Sequence, residues 1–229
     1  MPDRMISLTL VEGGAETACR IAVGQAVIAG WTGRDPAAVE KHIAELEALG
    51  VARPPSVPVF YRVAAARLTT ADEIEVSGAD SGGEVEFVLL RHGSKLWVGV
   101  GSDHTDRAVE TYNVTVSKQM CDKPIAPMFW NFDEVAAHWD RLVLRSWSGA
   151  GDDAVLYQEG AVTAMRTPDD LIARFGEGAG LAEGTAMFGG TLPAIGGVRP
   201  TRQFAFEIED PVLGRKIHHR YATRQLPLL

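Results

Sequence analysis

Residues 83–107 read GEVEFVLLRHGSKLWVGVGSDHTDR, and the pattern of this stretch decides the fold class. Gly83 to Arg91 and Leu96 to Val100 are rich in Val, Leu and Phe between turn-forming residues, so both read as strands. Within the first, Glu84 and Glu86 alternate with Val85. Side chains two apart on a strand point to one face, so the two carboxylates converge. Such a pair repels itself unless protons or a cation intervene, and hard oxygen donors suit Mg2+, Mn2+ or Ca2+ better than zinc. A solvated strand face would show the same spacing, so a third ligand is needed to choose. Asp103, in the polar turn Ser102-Asp103-His104-Thr105-Asp106-Arg107, is the candidate. His104 alternates with it and points away if the strand continues, which suits a structural role. The Gly99-x-Gly101 pair lacks the third glycine and the following helix of a nucleotide-binding loop.

Outward from this centre the chain is mostly strand. Met5 to Val11, Ala22 to Gly30, Val57 to Val63 and Glu73 to Val76 precede it, and Arg202 to Glu209 and Lys216 to Thr223 follow around a Pro211 to Gly214 turn. Leu142 to Ser146 and Ala154 to Gln158 suggest a hairpin. Helices are few and short. Asp35 caps one that begins at Pro36, buries Val39, Ile43 and Leu46, and closes at Gly50. Phe132 to Asp140 suggests another, and Thr167 caps a third over Pro168 to Phe175. Arg53 to Pro58 is a proline-rich loop rather than a linker, and there are no repeats, so one domain over 1–229 is expected.

The 229 residues are 46% hydrophobic and 23% charged, an ordinary globular composition, and no apolar run approaches the roughly 20 residues of a membrane helix. Met1 to Leu10 has no signal-peptide pattern. Cys19 and Cys121 are too few for a disulfide framework or a thiolate metal site, so a soluble cytoplasmic protein is expected. A formal charge of −8 excludes a broad nucleic-acid footprint, and a small anionic substrate then requires a locally positive site.

Three further places could carry chemistry. His42 and Glu45 stand at i and i+3 of the first helix, where the carboxylate can orient the imidazole to activate water; an exposed helix can also hold a histidine merely to pack. Lys118 lies among Met120, Cys121, Pro124, Phe129 and Trp130, a neighbourhood that suggests a partly buried loop where a cation needs a reason. Phe188 to Gly197 places flexible backbone beside the Thr191 hydroxyl, able to approach a carboxylate closely.

In their order along the chain, from about Ala22 to Tyr221, these elements resemble the fumarylacetoacetate hydrolase superfamily. His42-Ile43-Ala44-Glu45 looks like its His-x-x-Glu helix, and Pro58-Val59-Phe60-Tyr61-Arg62 like its Pro-x-x-Phe-x-Lys strand, with Arg62 for lysine. Glu84-Val85-Glu86 and Ser102 to Arg107 resemble its Glu-x-Glu strand and Asn-Asp-x-Ser/Thr-x-Arg-Asp turn. Ser117-Lys118-Gln119-Met120 is similar to its Gly-Lys-Ser-Phe segment, Gln158-Glu159-Gly160 to its Gln-x-Gly, and Gly189 to Gly197 to its Thr-Gly-Thr-Pro-x-Gly-x-Gly. Ser102 for asparagine, Ala108 for aspartate, Glu110 for a glutamine and a shorter segment between Arg107 and Lys118 mark a divergent member.

The resemblance implies an α+β, mainly β fold, a sandwich-like roll with a few short helices and residues 1–21 as an N-terminal extension. It makes Glu84, Glu86 and Asp103 ligands of Mg2+, with Mn2+ or Ca2+ as substitutes. It implies catalytic roles for His42, Glu45 and Lys118, and substrate contacts from Arg62, Arg107, Gly190 and Thr191. The implied activity is hydrolysis of a carbon–carbon bond in a small anionic 2-oxo or 1,3-dicarbonyl acid through a metal-bound enolate, in a homodimer, with no nucleic acid or membrane partner. Decarboxylation, hydration or isomerisation on the same scaffold, or noncatalytic ligand binding, are the alternatives.

Overall fold

The computed structural model describes residues 3–48 and 53–227. From the N-terminus, β1 (Arg4–Glu12) turns back as β2 (Ala15–Val23), and β3 (Gln25–Gly30) leads into α1 (Pro36–Ala48). Next come β4 (Val59–Val63), the short β5 (Leu68–Thr69), β6 (Glu73–Ser77), the short β7 (Ser81–Gly82) and the long pair β8 (Val85–His92) and β9 (Lys95–Ser102). The short β10 (Thr105–Asp106) opens α2 (Arg107–Glu110) and α3 (Val114–Met120), followed by β11 (Lys123–Pro124) and β12 (Met128–Asn131). The chain ends with β13 (Val143–Ser148), β14 (Val155–Ala161), α4 (Pro168–Phe175), β15 (Thr185–Thr191), β16 (Gln203–Asp210) and β17 (Arg215–Leu226).

An eight-stranded sheet runs β2-β1-β12-β9-β8-β15-β3-β4, and a five-stranded sheet runs β14-β13-β16-β17-β6. Between them lies one core, where Val85, Phe87 and Leu89 of β8 meet Leu144, Phe206 and Ile208 of the smaller sheet. The opposite face of the large sheet holds a second core, built from Leu8, Ile28, Val88, Leu90 and Phe129 with Leu68 and Ile125 laid across it. Both faces of β8 are therefore buried, which is why Phe87-Val88-Leu89-Leu90 is a continuous apolar run rather than an alternating one. This is the mainly β, α+β architecture read from the sequence.

Several elements follow their local chemistry. The Asp35 side chain accepts from the Ala37 N–H at 2.9 Å and starts α1 at Pro36, and Thr167 caps α4. The position proposed to close α1, Gly50, lies outside the described residues. Between Phe132 and Arg141 the expected helix is two 3₁₀ turns, with a non-helical His138 within the second. Besides the short strands and β12, the longer β2 and β15 depart from the sequence reading. β2 lies at the edge of the sheet with Ala15 to Ala18 exposed on both faces, so its first half carries no apolar alternation. β15, whose last residues Phe188 to Thr191 fall in the stretch read as flexible backbone, is an internal strand between β8 and β3. Within the stretch 1–21, read as an extension, Arg4–Glu12 form β1 and the residues from Ala15 onward most of β2, paired from Arg4↔Val23 to Glu12↔Ala15.

Candidate metal centre

Glu84 and Glu86 flank Val85 at the start of β8, on the face that continues as Val88 and Leu90 into the second core. β9 runs antiparallel beside it, with Val85 opposite Ser102, and one residue further the Asp103 N–H donates to the Glu84 carbonyl at 2.9 Å. Adjacent strands thus bring the third carboxylate to the other two. One oxygen of each lies within 4.8 Å of the others. Glu86 and Asp103 are only 2% and 0% exposed, so this is no solvated strand face.

Cations surround the cluster from one side. Lys118, on α3, donates to one Asp103 oxygen, and Lys123, on β11, lies 3.2 Å from the other. Arg107 stands 3.2 Å from Glu84 and 2.8 Å from Glu110. Burial opposes the charge on Asp103, but the two lysines outweigh it and hold the group down to about 2. Among the described residues Glu86 makes no ion pair. Burial, then the Asp103 charge, push it well above the usual carboxylate range, only partly opposed by the Lys118 charge and a hydrogen bond from the Gly190 N–H at 2.8 Å. Glu84 is raised by burial as well, with Arg107 opposing. Burial weakens the charge on Lys118 too, but Asp103 and Glu84 more than restore it and raise its pKa; on Lys123 burial wins and lowers it.

Four carboxylates here face three cations. A divalent ion among Glu84, Glu86 and Asp103 would relieve the mutual repulsion that now favours protons, and three hard oxygen donors suit Mg2+, Mn2+ or Ca2+. The residues therefore fit the ion that the motifs imply.

The remaining candidates separate. Gly190 touches the cluster through its N–H, and its φ of +98° with Thr32 Oγ1 only 1.8 Å from where a Cβ would stand makes glycine obligatory. The neighbouring Thr191 hydroxyl donates to the Val85 carbonyl at 2.8 Å and accepts from Gln158, so it is spent on the scaffold. Arg62 is carried to the other face of β4 by the pleat, exposed and 5.1 Å from the Phe175 ring. Arg107 holds Glu84 in place rather than reaching outward. Glu45 is 59% exposed and lies 3.9 Å from Lys41, adding no oxygen to the cluster. The His42 side chain lies outside the described residues. His104 turns away from Asp103, as its alternation suggested: its Nδ1 pairs with the Tyr221 hydroxyl at 2.7 Å, and burial, then Lys123, lower it to about 3.

Lys123 was not anticipated. Cys121-Asp122-Lys123-Pro124 looks like a polar surface turn, and only the parallel pairing of Lys123 and Pro124 with Leu68 and Thr69 carries it inside. Tyr61 is a second addition, its ring 5.7 Å from the Lys118 ammonium; the pleat that takes Arg62 away points it here. Its apolar strand context gave no functional signal.

Residues 29–221 match the family described as "Protein of unknown function (DUF2848)". The chain belongs to that family. No curated relative matches the sequence. Among solved structures, this DUF2848 chain is similar to a protein from Oleispira antarctica described as a fumarylacetoacetate isomerase/hydrolase, with TM-score 0.68 and 16% identity over 96% of this chain and 100% of that one. A fumarylacetoacetate hydrolase family protein from yeast gives TM-score 0.62 and 16% identity over 90% and 95%. A 2-keto-3-deoxy-D-arabinonate dehydratase complexed with magnesium and 2,5-dioxopentanoate gives 0.59 and 13% over 93% and 85%. The fold of this DUF2848 protein is thus that of the fumarylacetoacetate hydrolase family, as the motif order implied. Among the described residues, no helix is long and apolar enough to cross a membrane.

Proposed function

We propose that this protein is a divalent-cation-dependent enzyme acting on a small anionic 2-oxo or 1,3-dicarbonyl acid, with hydrolysis of a carbon–carbon bond as its reaction. The observation that carries the proposal is the buried convergence of Glu84, Glu86 and Asp103 beside two lysines. Buried carboxylates that repel one another lower stability, and such clusters concentrate at functional sites. Glu84, Glu86 and Asp103 would hold Mg2+. The ion would supply a Lewis acid for the paired oxygens of the oxo acid.

The protein's own groups account for the rest. Lys118 and Lys123 keep Asp103 ionised, and Lys118, above the Tyr61 ring, offers positive charge where negative charge develops on the substrate. Arg107 orients Glu84 and opposes the neutralising effect of its burial. Water activation belongs to His42, with Glu45 one turn along α1. Support for the substrate class also comes from the dehydratase of the same fold that binds magnesium together with 2,5-dioxopentanoate, an oxo acid. Cytoplasmic residence and a homodimer complete the proposal; light scattering at twice the chain mass is the expected result for the latter.

The test is incubation of the purified protein with Mg2+ and a panel of acylpyruvates, following loss of enol absorbance and identifying products. Two carboxylic acids from one substrate are expected. Release of carbon dioxide, or conversion to a single hydrated or isomeric product, would replace hydrolysis by decarboxylation, hydration or isomerisation. No Mg2+-dependent turnover together with no Mg2+-induced rise in melting temperature would leave a noncatalytic protein.

A further inference from the structure

Between the two glutamates, the backbone of β8 is not held by an ordinary ladder. β15 pairs with β8 from Ala186↔Leu90 to Phe188↔Val88, then shifts register before Thr191↔Glu86. The cause is local. A Cβ on Gly189 would lie 2.0 Å from the Phe87 ring, and Gly190 leaves the ladder to point its N–H at the Glu86 carboxylate. Val85 then needs partners from elsewhere.

They come from side chains, in a closed ring. The Val85 N–H donates to Gln158 Oε1 at 2.9 Å, Gln158 Nε2 donates to Thr191 Oγ1 at 2.8 Å, and the Thr191 hydroxyl donates to the Val85 carbonyl at 2.8 Å. Gln158 also accepts from the Ser146 hydroxyl at 2.9 Å and donates to the Leu192 carbonyl at 2.6 Å. All four of its hydrogen-bonding positions are used, and a backbone N–H on one side with a carbonyl on the other fixes which amide atom is oxygen. Gln158 is 1% exposed and belongs to β14, in the other sheet. None of the atoms in this ring belongs to the three carboxylates.

We infer that Gln158 is the positioning residue of the metal centre: through the ring with Thr191 it clamps both peptide groups of Val85 from the second sheet, and so sets the spacing of Glu84 and Glu86. The inference rests on the proposed function insofar as the triad binds a cation. Partners one step behind metal ligands typically govern affinity by about 10–100-fold.

Chelator-stripped full-length protein is titrated with Mn2+ by calorimetry, well below its melting temperature. Gln158→Met keeps the length of the side chain but accepts nothing from the Val85 N–H, and its dissociation constant for Mn2+ is expected to rise about tenfold or more. Ile208→Val, in the core between the sheets, lowers the melting temperature without changing that constant. Thr191→Val breaks the ring and is expected to weaken Mn2+ as Gln158→Met does, whereas Thr191→Ser keeps the hydroxyl and restores binding. These two variants decide the matter if Gln158→Met does not fold. A lower melting temperature with unchanged Mn2+ affinity in Gln158→Met and Thr191→Val overturns the inference and leaves Gln158 a structural residue. Wild-type protein that takes up no Mn2+ would overturn the metal centre itself, and the inference with it.

Discussion

In the metal-free protein, Asp103→Asn should cost far more stability than Glu86→Gln, although each replaces one buried carboxylate of the same cluster by its amide. Asp103 is the counter-charge of Lys118 on one oxygen and of Lys123 on the other, and Lys123 is wholly buried. Its amide can accept from one lysine while turning an N–H2 toward the second. Removing one partner of a buried pair costs about 3–5 kcal/mol, because the remaining charge stays unsolvated. For a chain of this length that is about 2–4 °C per kcal/mol, hence a fall of about 6–20 °C in melting temperature. Glu86 differs: burial and the Asp103 charge favour its protonated form, which glutamine imitates in shape and neutrality. Glu86→Gln is therefore expected to change metal-free stability by less than about 1 kcal/mol, or to raise it. Both variants lose the stabilisation that a saturating divalent cation gives the wild type, about 2.7 kcal/mol at a hundred times the dissociation constant. Urea and thermal unfolding in chelator, then in Mg2+, measure all of these. An Asp103→Asn protein no less stable than Glu86→Gln in chelator would refute the charge assignment.

Other consequences are as specific. His104 titrates near 3 in the folded protein against an ordinary value near 6.5, so the unfolded chain binds its proton first as pH falls. Its contribution is complete above about pH 6.5 and is lost toward pH 3 at up to about 1.4 kcal/mol per pH unit; His104→Gln should flatten that part of the stability–pH curve by this amount, and an unchanged slope counts against it. Gly190→Ala meets both a positive φ and the Thr32 hydroxyl, and should cost at least about 2 kcal/mol in urea unfolding. Lys118→Ala should lower turnover of any substrate found by about 100–1,000-fold; an unaffected turnover number removes Lys118 from the chemistry.

What could be read in advance depended on range. Glu84 and Glu86 were legible because strand alternation is local, and Asp103 because it ends the neighbouring strand in a polar turn. The α1 cap at Asp35 and the α4 cap at Thr167 are equally local. Lys123 was illegible because its burial depends on a partner strand more than fifty residues earlier. Arg62 and Tyr61 show the cost of an uncertain pleat: motif spacing points to Arg62, whereas the strand sets Arg62 beside Phe175 and Tyr61 beside Lys118. The Thr191 hydroxyl serves the Val85 carbonyl, a use visible only once β14 and β15 meet. The Asn113 cap that makes a helix, rather than a loop, around Lys118 is short and weakly apolar, so periodicity gave it no voice.

Everything functional turns on whether the three carboxylates take a cation together with the oxygens of an oxo acid. Crystals soaked in Mn2+ and oxalate, with anomalous data collected at the manganese edge, address this directly. A single anomalous peak bounded by Glu84, Glu86 and Asp103, with oxalate oxygens completing its shell, is the predicted result. A Lys118–Asp103 pair left as it is, with no peak between the carboxylates or with manganese bound elsewhere, would contradict it.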